Sequence, residues 1–256
     1  MIKEKRSVKK GGKSTSKSSA NGNIMTAEKL QKKMFKLGRP LHQAAGALSF
    51  AYAIYCQAFV VDIPEDLSPT RMKFGGPLKY LTFLNMVLQL VFFTLAFISN
   101  FTGKKSMVTK VKDVMFASAA FPIGMFVGII FWSIWAVDRE LIFPVRFDAF
   151  FPSWLNHLMH TTVLPLQLGE LVLAKHTYPS RKLGGAITAG LTLAYLVWIN
   201  VIFYLGGFWV YPVFKVLSVG QRIVFMAFCS GMGGVLYLAG EAANNMVRGG
   251  SRSKTD

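Results

Sequence analysis

WLNHLMHTTVLPLQLGE, residues 154–170, decides how the chain is read. Two histidines, two threonines, a glutamine and a glutamate interrupt a stretch otherwise as apolar as a membrane span, and polar groups in hydrocarbon need a partner or a function. Outward from it, windows of about 20 apolar residues, enough to cross about 30 Å of hydrocarbon, fall near 41–61, 78–99, 114–136, 154–174, 184–206 and 223–243. Short loops join them, and none is long enough to fold as a soluble domain. The expected fold is all-α: a multi-pass integral membrane bundle of six transmembrane helices.

Charge gives the expected orientation. The chain has 256 residues, 52% of them hydrophobic, yet a formal net charge of +17, so apolar and basic character are segregated along it. With the N-terminus cytosolic, 22 of the 29 Lys and Arg fall on inside segments; the outside keeps Arg71, Lys73, Lys79, Arg139, Arg146, Lys215 and Arg222. That imbalance has the sign of the positive-inside rule, and an even number of spans leaves both termini cytosolic. The sequon Asn100-Phe101-Thr102 then lies at a cytosolic end and is expected to stay unglycosylated.

Residues 1–40 carry 12 Lys and Arg against Glu4 and Glu28, with no apolar run of signal-peptide type. Residues 1–25, mostly Lys, Ser and Gly, are expected to be a disordered basic tail. Its expected partner is anionic membrane lipid rather than nucleic acid, because membrane helices follow directly. Residues 26–38 read as an amphipathic interfacial helix, with Leu30, Met34 and Leu37 on one stripe and Gly38 with Pro40 ending it. Residues 41–247 are the expected six-helix membrane domain, and 248–256 a basic C-terminal tail. Cys56 and Cys229 fall inside spans as small hydrophobes. Gly124-x3-Gly128 and Ser230-x3-Gly234 are spacings that let helices approach closely.

The polar inventory is where chemistry can reside. His157, His160 and Thr161 lie at i, i+3 and i+4 and share one helix face, which Gln167 continues. Pro165 cannot donate to the Thr161 carbonyl, so the helix loosens there and an acceptor is left for another helix or for water. His160 lies roughly 9 Å below the start of its span, and Thr82, in GGPLKYLTFLN (75–85), about 6 Å below the start of a span entering from the same side. The two can meet within one leaflet, with Asn85 one turn on from Thr82. A hydroxyl in reach of an imidazole is the minimal activated nucleophile. A plainer reading stands beside this one. A threonine in a membrane helix ordinarily bonds back to a carbonyl one turn earlier, here near Leu78, and a lone histidine to a neighbouring helix.

GGPLKYLTFLN (75–85), FPIGMFVGIIFWSIW (121–135), DRELIFP (138–144), WLNHLMHTTVLP (154–165), TYPSR (177–181), FWVYP (208–212) and YLAGEAANN (237–245) follow one another in order. Through these motifs the chain from about 41 to 247 resembles the androgen-induced gene one family, which includes the androgen-dependent TFPI-regulating proteins. The resemblance implies a membrane hydrolase cleaving fatty acid esters of hydroxy fatty acids. Thr82 matches the family nucleophile, and His160, the second histidine of the NHxMHTT motif, matches its partner. Such chemistry requires no metal or organic cofactor. The expected substrate is a branched lipid ester drawn from the bilayer into an apolar groove between spans two, four and five, with Phe83, Trp154 and Trp198 as candidate lining. The basic extension 1–40 departs from the shorter family members.

Spacing identifies no third catalytic group. Asn85, Asn156, Asp138 and Asn200 are all candidate orienters of the imidazole, and His157 and Thr161 are further candidate supports. Asp138, Arg139 and Glu140 read either as an interfacial ion-pair cluster or as a rim that receives a lipid carboxylate, with Arg139 as its contact. Glu170 and Glu241 are expected to be structural, paired with Lys175, Arg181 or Arg248. The histidines, His42, His157, His160 and His176, are too few for a His-rich iron oxidase. They include no facing pair for bis-haem ligation, and no G-x-S-x-G elbow offers a serine instead. The alternative is a non-catalytic lipid-binding or scaffold protein. Endoplasmic reticulum and plasma membrane both fit, and the oligomeric state is left open.

Overall fold

The computed structural model describes residues 15–64 and 74–248, with side chains from residue 37 onward. Among them the only regular structure is helical: α1 (Thr15–Phe59), α2 (Leu81–Ser99), α3 (Met107–Met115), α4 (Phe121–Val137), α5 (Ser153–His160), α6 (Val163–Leu173), α7 (Arg181–Gly206), α8 (Val213–Val216) and α9 (Val219–Val247), with short 3-10 turns between and a π-turn at Phe116–Ala120. The chain divides into two units, 1–38 and 39–256. Of the first, residues 1–14 of the expected basic tail lie outside the described residues, and the rest belongs to α1. The helix end expected at Gly38 and Pro40 is not made; Pro40 lies inside α1, where a proline withdraws one donor without ending the helix. The C-terminal tail from 249 also lies outside the described residues.

Four helices of the second unit are long and apolar enough to cross a membrane: Leu81–Ser99, Met107–Val137, Arg181–Gly206 and Val219–Val247. They coincide with the windows at 78–99, 114–136, 184–206 and 223–243. Window 41–61 falls in the last part of α1, and window 154–174 is broken into α5 and α6, each shorter than a span. The break has a local cause. The N–H groups of Thr161 and Thr162 both reach the His157 carbonyl, and Leu164 N–H takes the Thr161 carbonyl at 3.1 Å. The acceptor stranded by Pro165 is therefore satisfied three residues on, not by another helix.

Met107–Val137 is the central element: 61% of its apolar window is buried, against 17% for Arg181–Gly206 and for Val219–Val247, whose apolar faces are left outside the packed interior. It bends through the π-turn just before Pro122, which cannot bond to the Ser118 carbonyl. Neighbouring helices donate to carbonyls at this turn, including the one Pro122 frees. Thr188 on α7 donates to Ser118 O at 2.8 Å, and Gln89 on α2 to Ala120 O at 2.8 Å. One core cluster, around Phe92, Phe93, Phe116, Leu155 and Val163, joins α1, α2, α4, α5 and α6. A second, around Ile199, Ile202, Phe208 and Phe214, packs the end of α7 against the chain that follows it.

Candidate active site

The start of α2 is held unusually firmly. Gly75 and Gly76 take φ of 90° and 49°, a region that side chains rarely enter. Pro77 then opens a 3-10 turn over Gly76–Lys79. The carbonyls of this turn are bound by α7: the Trp198 indole donates to Leu78 O at 3.0 Å and the Tyr195 hydroxyl to Lys79 O at 3.1 Å. Leu81 N–H is shared between the hydroxyls of Tyr195 and Tyr211, at 3.0 and 2.9 Å. Burial pushes the Tyr211 phenol up to about 12, so it remains a neutral donor. Thr82 follows in the first turn of α2. The carbonyl expected to absorb its hydroxyl, near Leu78, is occupied by Trp198.

His160 is the last residue of α5. Its Nδ1 lies 3.0 Å from the Asn156 carbonyl, which can only accept, so the proton sits on Nδ1 and Nε2 is left as an acceptor. Thr82 Oγ1 lies 3.2 Å from that Nε2 and donates to it. The imidazole is buried and stacked on Phe131 of α4, centroids 3.6 Å apart and planes 12° from parallel. Gly128, one turn before Phe131, allows that approach: a Cβ there would stand 2.7 Å from the His160 carbonyl oxygen. At Gly124 the nearest atom to such a Cβ would be the side-chain Nε2 of Gln89 at 2.8 Å, a group better able to shift than backbone. At the other small-residue spacing, Gly234 is exposed and meets nothing within 4 Å.

Below this pair α2 and α6 are joined by amides. Gln89 donates to Asn85 Oδ1 at 3.0 Å, and Gln167 donates to Gln89 Oε1. One turn below Thr82, Asn85 thus has its Oδ1 engaged by Gln89, while its buried Nδ2 makes no hydrogen bond among the described residues. Asn156 orients the imidazole, but through its backbone; its side chain is buried and lines the cavity beside His160, with Oδ1 making no hydrogen bond among the described residues. His157 and Thr161 do not share the face of His160. Both are exposed; they bond each other at 3.0 Å, the Trp132 indole donates to Thr161 Oγ1, and Trp132 stacks on His157. Asp138 caps Glu140 N–H, and Asn200 donates to Leu196 O on its own helix; neither is bonded to the imidazole. Arg139 is bound by both nitrogens of its fork to Asp148, at 2.9 and 2.6 Å, and lies over Trp135, so the expected carboxylate contact is already engaged.

Two cavities meet at Thr82, with Phe131, Ile142 and Tyr211 common to both walls. The larger, about 230 Å³, also carries His160, Asn156, Arg146 and Lys215. The smaller, about 120 Å³, runs between α4, α7 and α9 with no charged side chain in its wall. Phe83, Trp154 and Trp198 line neither; Phe143, Phe147, Phe151 and Trp209 do so instead. Among the described residues no group of three or more His, Cys, Asp or Glu side chains could hold a metal ion.

Away from this site the structure gathers Lys112, Asp113, Glu170 and His176, a cluster the spacing did not suggest. Glu170 accepts from Gln43 at 2.8 and 3.0 Å, and His176 lies 3.3 Å from Asp113 and 3.5 Å from Glu170. Glu241 does pair with Arg181, at 2.8 Å, as expected.

Comparison with known proteins agrees with the motifs. The chain is 36% identical to the human (Homo sapiens) androgen-induced gene 1 protein over 192 residues, covering 70% of this chain and 81% of that protein. It is 40% identical to the rat (Rattus norvegicus) androgen-dependent TFPI-regulating protein over 199 residues, covering 75% and 86% respectively. A membrane protein of Schizosaccharomyces pombe is 24% identical over 163 residues, covering 62% and 71%. No solved structure matches the chain. With residues 45–245 matched by the FAR-17a/AIG1-like protein model, across the four apolar helices and the Thr82 and His160 site, this membrane protein belongs to the FAR-17a/AIG1-like family.

Proposed function

We propose that the protein is an integral-membrane hydrolase that cleaves fatty acid esters of hydroxy fatty acids, with Thr82 as nucleophile and His160 as general base and acid. The observation that carries this reading is the 3.2 Å contact of Thr82 Oγ1 with an imidazole nitrogen left free to accept. Thr82 Oγ1 attacks the ester carbonyl while Nε2 takes its proton; the tetrahedral intermediate then expels the hydroxy acid, which leaves with that proton. Water, deprotonated by the same nitrogen, cleaves the acyl-threonine and restores the hydroxyl. The first turn of α2 supplies the complementary charge. Among the described residues the N–H groups of Thr82 and Phe83 have no hydrogen-bond acceptor, and they point from the positive end of a 19-residue helix. They are our candidates for the oxyanion donors.

Six spans, both termini cytosolic, and a basic N-terminus on anionic lipid complete the proposal, with window 154–174 crossing as the broken pair α5 and α6. Endoplasmic reticulum and plasma membrane remain the candidate locations. The test is hydrolysis of a fatty acid ester of a hydroxy fatty acid by detergent-purified wild type, Thr82→Ala and His160→Ala. We expect folded variants whose kcat is lower by on the order of 10³ or more. Full activity in both would place hydrolysis at another site, and no cleavage by wild type would leave a lipid-binding or scaffold protein.

A further inference from the structure

We propose that Arg146 and Lys215 receive the free carboxylate of the ester, so that the hydroxy-acid half lies in the larger cavity and the acyl half in the smaller. The inference rests on the hydrolase reading and adds the direction in which substrate binds. The two cavities share Thr82 but differ in charge. The larger carries Arg146 and Lys215 and no acidic side chain, whereas the smaller carries no charged group at all. A substrate with one apolar arm and one arm ending in a carboxylate is matched by that asymmetry.

Among the described residues the other cations at this end of the bundle are engaged: Lys79 is buried over the Tyr80 and Phe208 rings. Arg139 is forked onto Asp148, and Arg222 donates to Phe214 O and lies over Trp209. Arg146 lies 5.2 Å from the Phe147 ring, which leaves its donors unspent, and neither it nor Lys215 has a carboxylate partner among the described residues.

A separate observation gives the same direction. His160 lines the larger cavity and not the smaller. When the bond between the acyl carbon and the bridging oxygen breaks, the proton held on Nε2 goes to that oxygen. The departing hydroxy acid must therefore lie on the imidazole side, which is the side of the two cations.

Two measurements test this. The first compares kcat/KM of detergent-purified wild type for a free-acid ester and for its methyl ester. Expected is a preference for the free acid of about tenfold, the low end for a charge-assisted contact because both cations are exposed. Arg146→Gln with Lys215→Gln should bring the ratio to near one, and Arg146→Lys with Lys215→Arg should keep it. Equal cleavage of acid and methyl ester by wild type, or a ratio unmoved in the glutamine pair, overturns the inference while leaving the hydrolase reading intact. The second measures binding of the two ligands to Thr82→Ala. The same preference there, lost with the glutamine pair, sustains the carboxylate site even if wild type cleaves neither ester; equal binding overturns it.

Discussion

Two histidines of this protein are mounted in the same way and set among different partners. His160 stacks on Phe131 at 3.6 Å and 12°, and His176 on Phe116 at 3.7 Å and 8°, both phenyl rings projecting from the continuous element Met107–Val137. Around His160 the partners are a backbone carbonyl and one half-buried hydroxyl, and a cavity opens beside them. Around His176 the partners are two carboxylates, the ring is wholly buried, and its backbone carbonyl accepts from Asn244 and Arg248. The stack sets the plane of either ring. What differs is whether the ring's remaining nitrogen meets a group that can react or one that can only be held.

The widest separation is expected from removing the partner in each case. Thr82→Ala takes away a hydroxyl facing a cavity, so its cost should appear in kcat, with unfolding stability within about 1 kcal/mol of wild type. Glu170→Ala leaves the Gln43 amide without its acceptor in a buried site, and an unsatisfied buried polar group costs about 1–3 kcal/mol. Thermal denaturation should show that loss, while the activity of the molecules still folded stays within a few-fold of wild type. A Glu170 variant that is stable but inactive would unite the two clusters into one catalytic system and end the contrast.

A smaller effect should come from the support of the stack. Gly128→Ala sets a Cβ against the His160 carbonyl at 2.7 Å, so α5 and α4 must part by a fraction of an ångström to about 1 Å. Displacements of that size cost up to about 100-fold in rate when they misplace a catalytic group. We expect kcat to fall by about 10- to 100-fold with KM little changed. Gly234→Ala, where nothing lies within 4 Å, should move neither constant. Equal effects at the two glycines would mean that the close approach of α4 does not set the imidazole.

How much of this was legible in the sequence follows from the kind of information each part needed. Hydropathy located the four long helices, because burial in hydrocarbon writes itself into about 20 consecutive residues. Helix rise alone brought Thr82 and His160 to one depth. The group that orients the His160 imidazole escaped, because it is the carbonyl of Asn156 and a backbone atom has no side-chain signature. The break of window 154–174 is half visible: Pro165 announces a loosened turn, but the two hydrogen bonds donated by Thr161 and Thr162 N–H to the His157 carbonyl are a backbone rearrangement. An ion pair for Arg139 is one of the two sequence readings, but its partner Asp148 is not legible there, because it folds back through two short turns, a contact of nine residues' separation that no periodicity encodes. The Lys112, Asp113, Glu170 and His176 cluster draws on three separate segments and needs the tertiary fold to exist.

The least effect is expected at the residue that the sequence makes most conspicuous beside His160. His157 shares its motif and precedes it by one turn, yet i to i+3 is not a common environment when the helix ends between a core and a surface. His160 turns inward, whereas His157 is exposed, bonded to Thr161 at 3.0 Å and stacked on Trp132. His157→Ala removes an exposed hydrogen bond and one face of a ring contact, which together are worth about 1 kcal/mol. A change in kcat/KM of less than about threefold is therefore expected, alongside the large loss at His160→Ala. A loss at His157 comparable to that at His160 would mean that the working proton passes between His157 and Thr161 at the surface, and that the buried Thr82 pair is the structural one.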